Sequence, residues 1–105
     1  MNNFNIMYRI LKALERAMDY AEMDADALSP ETLGSSKERL KSLWIMLANN
    51  GYVDGIVVKY YKNSPTPTVL VKNPRITLKG LEYLQENSMM RKCAHAAKGL
   101  IDIVS

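Results

Sequence analysis

The stretch between Leu28 and Thr77 limits the fold of this chain more than any other feature, because start and stop signals follow one another there in a definite order. A short capped helix comes first, followed by a tight turn at residues 33–35 and a basic amphipathic helix that ends at Asn50-Gly51. Two segments rich in β-branched residues then flank a proline-rich tip. This order predicts a helix-turn-helix followed by a β-hairpin wing, the arrangement of a winged helix.

Capping residues mark both helices of the expected helix-turn-helix. Ser29 is a typical N-cap for the first of them, and Gly34 is a typical stop. We expect Ser35 and Glu38 to form a capping box, because each side chain then accepts a backbone N–H that the helix leaves unpaired. The second helix of the motif, which is the third of the chain, is therefore expected to begin at Ser36.

The remaining patterns extend this motif to a single winged-helix domain over residues 1–105. Apolar residues at three- and four-residue steps predict a long first helix, capped by Asn3 and reaching Ala21. Asn73-Pro74 is expected to end the second strand, and Thr77 to cap another helix. The fold class is α+β and mainly helical, in the order αααββαα, with an extra C-terminal helix. Approximate bounds are about 29–50 for the helix-turn-helix, about 56–72 for the wing and about 77–104 for the C-terminal helices.

Composition argues against catalysis and against a metal site. The chain has 105 residues, one cysteine and one histidine, so neither a disulfide nor a cluster of metal ligands is easily built. Cys93 and His95 are two residues apart on an expected helix and therefore point in different directions. We expect no catalytic residue, no metal, no cofactor and no small-molecule ligand.

The sequence also argues against export and membrane insertion. Residues 1–5 lack a basic region, and no long apolar region follows them, as a signal peptide would require. The longest apolar run, residues 43–48, is much too short to span a bilayer. A cytoplasmic protein without a membrane partner is expected.

Charge is distributed unevenly along the chain. Residues 1–31 hold three bases and six acids, whereas residues 32–105 hold eleven bases and five acids, for a net charge of +3 overall. A basic body of this kind favours a polyanionic partner. A solvated surface with scattered lysines and arginines explains the same numbers, so both interpretations remain open.

Double-stranded DNA is the partner that this pattern indicates. In a helix-turn-helix the second helix enters the major groove, and hydroxyl and basic side chains suit phosphate and guanine acceptors. Two observations weigh against this: Glu38 and Ile45 interrupt the expected face, and lysines on a hairpin also protect its edges from pairing with other chains. The candidate DNA-binding residues are Ser36, Lys37, Arg39, Lys41 and Ser42 on the third helix and Lys59, Lys62 and Arg75 on the wing.

The last expected helix carries an apolar stripe with alternating three- and four-residue steps. It has two interpretations: the stripe closes the core over the first helix, or it pairs with a second copy of the chain across a two-fold axis. In the second case it forms a homodimer interface, which would join two DNA-binding modules. The residues concerned are Met90, Cys93, Ala97, Leu100 and Val104.

Residues 76–87, with the sequence ITLKGLEYLQEN, look like the segment that follows the wing in many bacterial and phage winged-helix proteins. Together with the long first helix and Gly51-Tyr52-Val53 before the hairpin, they resemble the YjcQ-like family of small Firmicute and prophage proteins. The resemblance implies a winged-helix fold and a phage or mobile-element origin. It implies no particular activity, ligand or site residue.

The function that these observations favour is that of a small bacterial or phage transcriptional regulator that binds duplex DNA with its third helix and wing. The alternative is a protein-protein interaction module on a winged-helix scaffold without DNA binding, because one fold hosts many functions.

Overall fold

The computed structural model of the protein describes residues 2–88. Within them, helices come first and an antiparallel two-stranded sheet follows, before a further helix. This architecture confirms the expected α+β, winged-helix class. The elements are α1 (Asn3–Ala17), a 3₁₀ turn (Ala25–Leu28), α2 (Pro30–Leu33), α3 (Lys37–Asn49), β1 (Val53–Lys59), β2 (Thr68–Ile76) and α4, which is helical at residues 78–88.

Helix α1 is shorter than the sequence pattern predicts. Its N-cap is Asn2 rather than Asn3, since the Asn2 Oδ1 accepts the backbone N–H of Asn5 at 2.8 Å. The helix ends at Ala17, and the apolar side chain of Met18 is 64% exposed. Residues 18–22 form turns and bends instead of continuing the helix, so the extension to residue 21 was wrong.

The turn between α2 and α3 agrees with the sequence-based expectation. The Ser29 hydroxyl oxygen accepts the backbone N–H of Thr32 at 3.2 Å, which confirms Ser29 as the N-cap of α2. Gly34 adopts a left-handed conformation with φ 69° and ends the helix. The side chain of Leu33 is buried in the core and fixes α2 there.

The end of α3 is closed by a Schellman motif. The Tyr52 N–H donates to the Leu47 carbonyl at 2.9 Å and the Gly51 N–H donates to the Ala48 carbonyl at 3.1 Å, while Gly51 has a left-handed φ of 78°. The chain turns sharply enough for Val53 to enter the core at once. Strand β1 therefore starts at Val53, three residues before the expected wing.

The second strand of the hairpin also extends further than expected, at the same end, the base. Strand β2 continues through Asn73-Pro74 to Ile76, so the expected stop at these residues was wrong. The register changes between Asp54, which lies opposite Arg75, and Ile56. Gly55 bridges this irregularity with φ 81°, and a Cβ there would collide with the Asn73 carbonyl. Pro74 is tolerated because an irregular stretch does not require every backbone N–H for the ladder.

Thr77 and Gly80 attach α4 to the end of α3. The Thr77 hydroxyl donates to the Gly51 carbonyl at 2.6 Å and accepts the Gly80 N–H at 3.1 Å, which confirms Thr77 as an N-cap. Gly80 is buried against the Tyr52 carbonyl, and a Cβ on Gly80 would also lie 2.7 Å from Ile76 Cγ1. The glycine of this Thr-x-x-Gly sequence thus allows the backbone of α4 to lie in close contact with the backbone at Tyr52.

The core lies between α1, α3, the base of the wing and α4. Leu84 joins it from α4, whereas Leu78, at the start of the same helix, is 73% exposed. The Ser88 hydroxyl is hydrogen-bonded to the Tyr8 hydroxyl at 2.8 Å, which links α4 to α1. The buried apolar side chains are Ile6, Ile10, Leu11, Leu14, Leu33, Leu40, Leu43, Trp44, Leu47, Val53 and Leu84.

Candidate nucleic-acid interface

The N-terminus of α3 is capped one residue later than the sequence suggested. The Ser36 hydroxyl oxygen accepts the Arg39 N–H at 3.2 Å, and the helix starts at Lys37. The Ser35 hydroxyl instead donates to the Ser36 carbonyl at 3.0 Å. The expected capping box of Ser35 with Glu38 was therefore wrong, and the Ser36 oxygen is already used for capping.

The outward face of α3 is defined by the residues opposite its buried side. Leu40, Leu43, Trp44 and Leu47 point into the core. At about 100° per residue, the positions half a turn away are spaced by four, three and four residues. We call them the α3 outer face: Glu38, Ser42, Ile45 and Asn49.

Basic residues flank the α3 outer face rather than occupying its centre. Lys37 and Lys41, four residues apart, lie on one flank, and Arg39 lies on the other. Lys37 and Arg39 are exposed. Bases placed at the edges of a helix suit contact with the phosphates that border a groove.

Some of the charged and polar groups on this surface interact with each other within α3. Lys41 Nζ lies 3.6 Å from Glu38 Oε1, and Lys41 is the more covered of the two side chains. The Ser42 hydroxyl donates to the Glu38 carbonyl at 3.4 Å. The α3 outer face is consequently less basic than the residue list suggested.

The wing presents two of its three candidate residues together. Lys59 ends β1 opposite Thr68, and Lys62 follows it in the exposed tip of the hairpin. Ser64 N–H donates to the Tyr61 carbonyl at 3.2 Å, and this turn has Lys62 at its centre. Both lysines are exposed.

The third wing candidate, Arg75, lies elsewhere. It pairs across the sheet with Asp54, whereas Lys59 is five residues further along the same strand, or about 17 Å away. Arg75 thus belongs to the base of the hairpin, beside the end of α1, where it borders a groove with Met18 and Tyr20. The structure does not bring the three residues together.

Two further lysines, Lys72 and Lys79, were not among the candidates for DNA binding. Lys72 of β2 borders a cleft with Trp44 of α3 and with Met23 and Leu28 of the connector between α1 and α3. Lys79 Nζ lies 5.3 Å from the ring centroid of Tyr52, at the start of α4. Their positions depend on the irregular register at Gly55 and on the junction at Thr77. Of these two features, the sequence signals only the junction, through the Thr-x-x-Gly pattern.

Acidic and basic residues are separated along the sequence more sharply than the comparison of residues 1–31 with residues 32–105 indicated. Residues 55–81 include five bases (Lys59, Lys62, Lys72, Arg75 and Lys79) and no acid. Residues 17–36 include five acids (Asp19, Glu22, Asp24, Asp26 and Glu31) and no base. Beyond Asp54, the charged residues of the wing are thus all basic, whereas those of the connector between α1 and α3 are all acidic.

The remaining sequence-based expectations concern the apolar stripe of the last helix, membrane insertion and metal binding. Met90, Cys93, Ala97, Leu100 and Val104 lie outside the described residues. No helix within residues 2–88 is long and apolar enough to cross a membrane. In the same part of the chain, no three His, Cys, Asp or Glu side chains are grouped so that they could hold a metal ion.

A turn closed by a left-handed glycine, a following helix with an exposed face and a hairpin beside it define a winged-helix protein. The family model described as YjcQ protein matches residues 8–103, and the chain belongs to this family, as the resemblance indicated. The chain is also similar to the YjcQ protein from Bacillus subtilis, solved by solution NMR, with 25% identity over 79% of this chain and 92% of that one and a TM-score of 0.49. No curated protein matches.

Proposed function

We propose that this protein binds double-stranded DNA through the α3 outer face and the wing, as a small, cytoplasmic, non-enzymatic regulator of bacterial or phage origin. The observation that carries the proposal is the charge of residues 55–81, which cover the wing beyond Asp54 and the start of α4 and hold five basic residues and no acid. If these lysines only protected the edges of the hairpin, there would be no reason for acidic residues to be absent from the start of α4 as well.

The geometry suits a helix in the major groove with a wing beside it. A groove about 12 Å wide accepts α3, and Ser42 and Asn49 at the centre of its outer face are able to contact base edges. Lys37, Lys41 and Arg39 on the flanks contact phosphates on either side.

The wing contributes phosphate contacts through Lys59 and Lys62 at its tip. Arg75, opposite Asp54 at the base of the hairpin, is assigned a smaller part because a carboxylate lies beside it. Each lysine or arginine that neutralises a phosphate makes the affinity more dependent on salt. This dependence provides the test.

The full chain is titrated with a mixed-sequence 20-base-pair duplex between about 50 and 200 mM salt. Five phosphate contacts are expected, from the three basic residues of α3 and the two lysines of the wing tip. They give a slope of about −4.5 for the logarithm of the binding constant against the logarithm of the salt concentration, which is an affinity loss of roughly 500-fold over this range. Absence of binding at 50 mM salt would refute the proposal.

Charge-neutral variants locate the interface. The double variant Lys59→Gln/Lys62→Gln is expected to reduce the slope by about 1.8. The matched control, Arg9→Gln/Arg16→Gln, removes the same charge from the exposed side of α1 and should leave the slope within about 0.3 of the parent value. Equal effects of the two double variants would show that only net charge matters.

The proposal includes a homodimer formed by the apolar stripe of Met90, Cys93, Ala97, Leu100 and Val104. Two such modules would contact half-sites one helical turn of DNA apart. Light scattering of the full chain is expected to give twice the mass of 11.9 kDa, and Leu100→Glu should restore the monomer. A monomeric parent chain at high concentration would refute this part alone.

One observation favours protein binding as the alternative. Met46, beside the α3 outer face, is 48% exposed, and Ile45 adds apolar surface next to the Glu38–Lys41 pair. The variant Met46→Lys separates the two functions. DNA binding predicts tighter binding and a slope steeper by up to about 0.9, whereas an α3 outer face that does not contact DNA predicts no change.

A further inference from the structure

The tip of the wing carries two adjacent tyrosines that the proposed duplex contact does not use. Tyr60 is 75% exposed and Tyr61 is 54% exposed, directly after the end of β1. Strict alternation along a strand would place one of the two rings in the core, but both are exposed. Because β1 ends at Lys59, neither ring lies on a face of the sheet.

The backbone around these rings is held in place. The Ser64 N–H donates to the Tyr61 carbonyl, and the Ser64 hydroxyl donates to the Thr66 carbonyl at 2.8 Å. Pro65 and Pro67 restrict the other half of the loop. Such a tip loses less conformational freedom on binding than a flexible loop would.

Charge and aromaticity occur together at this position. Lys59 and Lys62 enclose the two tyrosines in the sequence Lys59-Tyr60-Tyr61-Lys62, and no acid lies between residues 55 and 81. Aromatic rings beside basic side chains are the combination with which proteins bind single-stranded nucleic acid. The rings stack on the nucleobases, and the basic side chains contact the phosphates. Protection of a hairpin edge explains the lysines but not the rings.

An intact duplex does not offer the rings a stacking surface. Within a helix, both faces of each base pair are covered by its neighbours. The minor groove, about 6 Å wide, is too narrow for a two-stranded ribbon, whose strands are already about 4.8 Å apart before side chains are added. Within a duplex the tyrosines therefore have no stacking partner, whereas the bases of a single strand offer one.

We propose that Lys59, Tyr60, Tyr61 and Lys62 form a binding site for unpaired DNA bases, so that the protein prefers a junction between duplex and single strand to a continuous duplex. The two tyrosines stack on bases of the single strand, and the two lysines contact its phosphates. This inference rests on the proposed binding of duplex DNA by the α3 outer face and the wing.

Three DNA molecules with the same 16-base-pair duplex test the site, in titrations of the full chain at one salt concentration. The first is blunt, the second has a six-thymine overhang, and the third has a six-residue abasic overhang with the same phosphates but no bases. Stacking of one base is expected to make the thymine overhang bind about 5- to 150-fold more tightly than the abasic overhang. The blunt duplex by itself tests the proposed function.

Variants assign the difference to the tip. Tyr60→Ala/Tyr61→Ala should make thymine and abasic overhangs bind equally and leave blunt-duplex affinity unchanged, whereas Tyr60→Phe/Tyr61→Phe should retain the preference. Tyr20→Ala is the matched control, because Tyr20 is 72% exposed but lies in the acidic connector. Circular dichroism and melting confirm that each variant is folded.

The outcomes separate the two proposals. Equal affinity of the parent chain for thymine and abasic overhangs, or a preference that survives the double alanine variant, overturns the single-strand site while blunt-duplex binding stands. Failure to bind any of the three DNA molecules overturns both. A preference for thymine that only the tip variants abolish supports the site.

Discussion

The Thr77 side chain joins the end of α3 to the start of α4, and its hydroxyl allows a quantitative test. The substitution Thr77→Val keeps the shape of the side chain and removes two hydrogen bonds, one to the Gly51 carbonyl at 2.6 Å and one from the Gly80 N–H at 3.1 Å. Loss of an N-cap costs about 1 kcal/mol, and loss of a second hydrogen bond costs about 1 kcal/mol more. We expect the free energy of unfolding to fall by about 2 kcal/mol.

The assay is urea denaturation followed by circular dichroism, with thermal melting as a second measurement. A loss of about 2 kcal/mol corresponds to a decrease in Tm of roughly 10 °C for a domain of this size. Thr77→Ser keeps the hydroxyl and should remain within about 0.5 kcal/mol of the parent chain. If Thr77→Val also remains within about 0.5 kcal/mol, the assignment of this residue as the junction between α3 and α4 is wrong.

Other substitutions test local features of the fold and the interface by the same denaturation assay or by DNA titration. Gly80→Ala should cost about 3 kcal/mol or more, because the added Cβ meets the Tyr52 carbonyl, which is backbone and cannot rotate away; an effect below about 1 kcal/mol would contradict this contact. Ser36→Ala should cost about 1 kcal/mol and Ser35→Ala less than about 0.5 kcal/mol, since Ser36 is the cap of α3; the reverse order would restore the capping box. Glu38→Gln should tighten duplex binding at about 50 mM salt, because the carboxylate repels phosphates and pairs with Lys41; weaker binding would indicate that Glu38 contacts a base.

The sequence predicted those parts of the fold that depend on local backbone chemistry. Ser29, Gly34, Gly51 and Thr77 act where expected, because each satisfies or relieves backbone groups within a few residues of itself. The α3 cap was misplaced by one residue, since Ser35 and Ser36 are chemically equivalent. Only the path of the preceding turn decides which hydroxyl meets the open N–H groups.

The features that the sequence did not predict depend on distant residues. The passage of β2 through Asn73-Pro74 requires the irregular register at Gly55, which appears only when the two strands are paired. The separation of Arg75 from the wing tip follows from that register. Alternation along a strand would bury one of Tyr60 and Tyr61, but β1 ends before them and alternation no longer applies.

The candidate interface was predictable as a set of residues and less so as a surface. Periodicity placed Lys37, Arg39 and Lys41 on α3, but the ion pair of Lys41 with Glu38 and the central position of Glu38 emerge only from the side-chain geometry. The same holds for Lys72, whose place beside the cleft that Trp44 also lines depends on how the hairpin packs.

The central claim is that duplex DNA contacts α3 and the wing, and amide chemical-shift mapping tests it most directly. The full chain, labelled with ¹⁵N, is titrated with a mixed-sequence duplex at about 50 mM salt, where electrostatic binding is strong. The account predicts the largest shift changes at residues 37–42 and 59–66, with the acidic residues 19–31 unchanged. Absence of shift changes, or changes concentrated at residues 19–31, would contradict it.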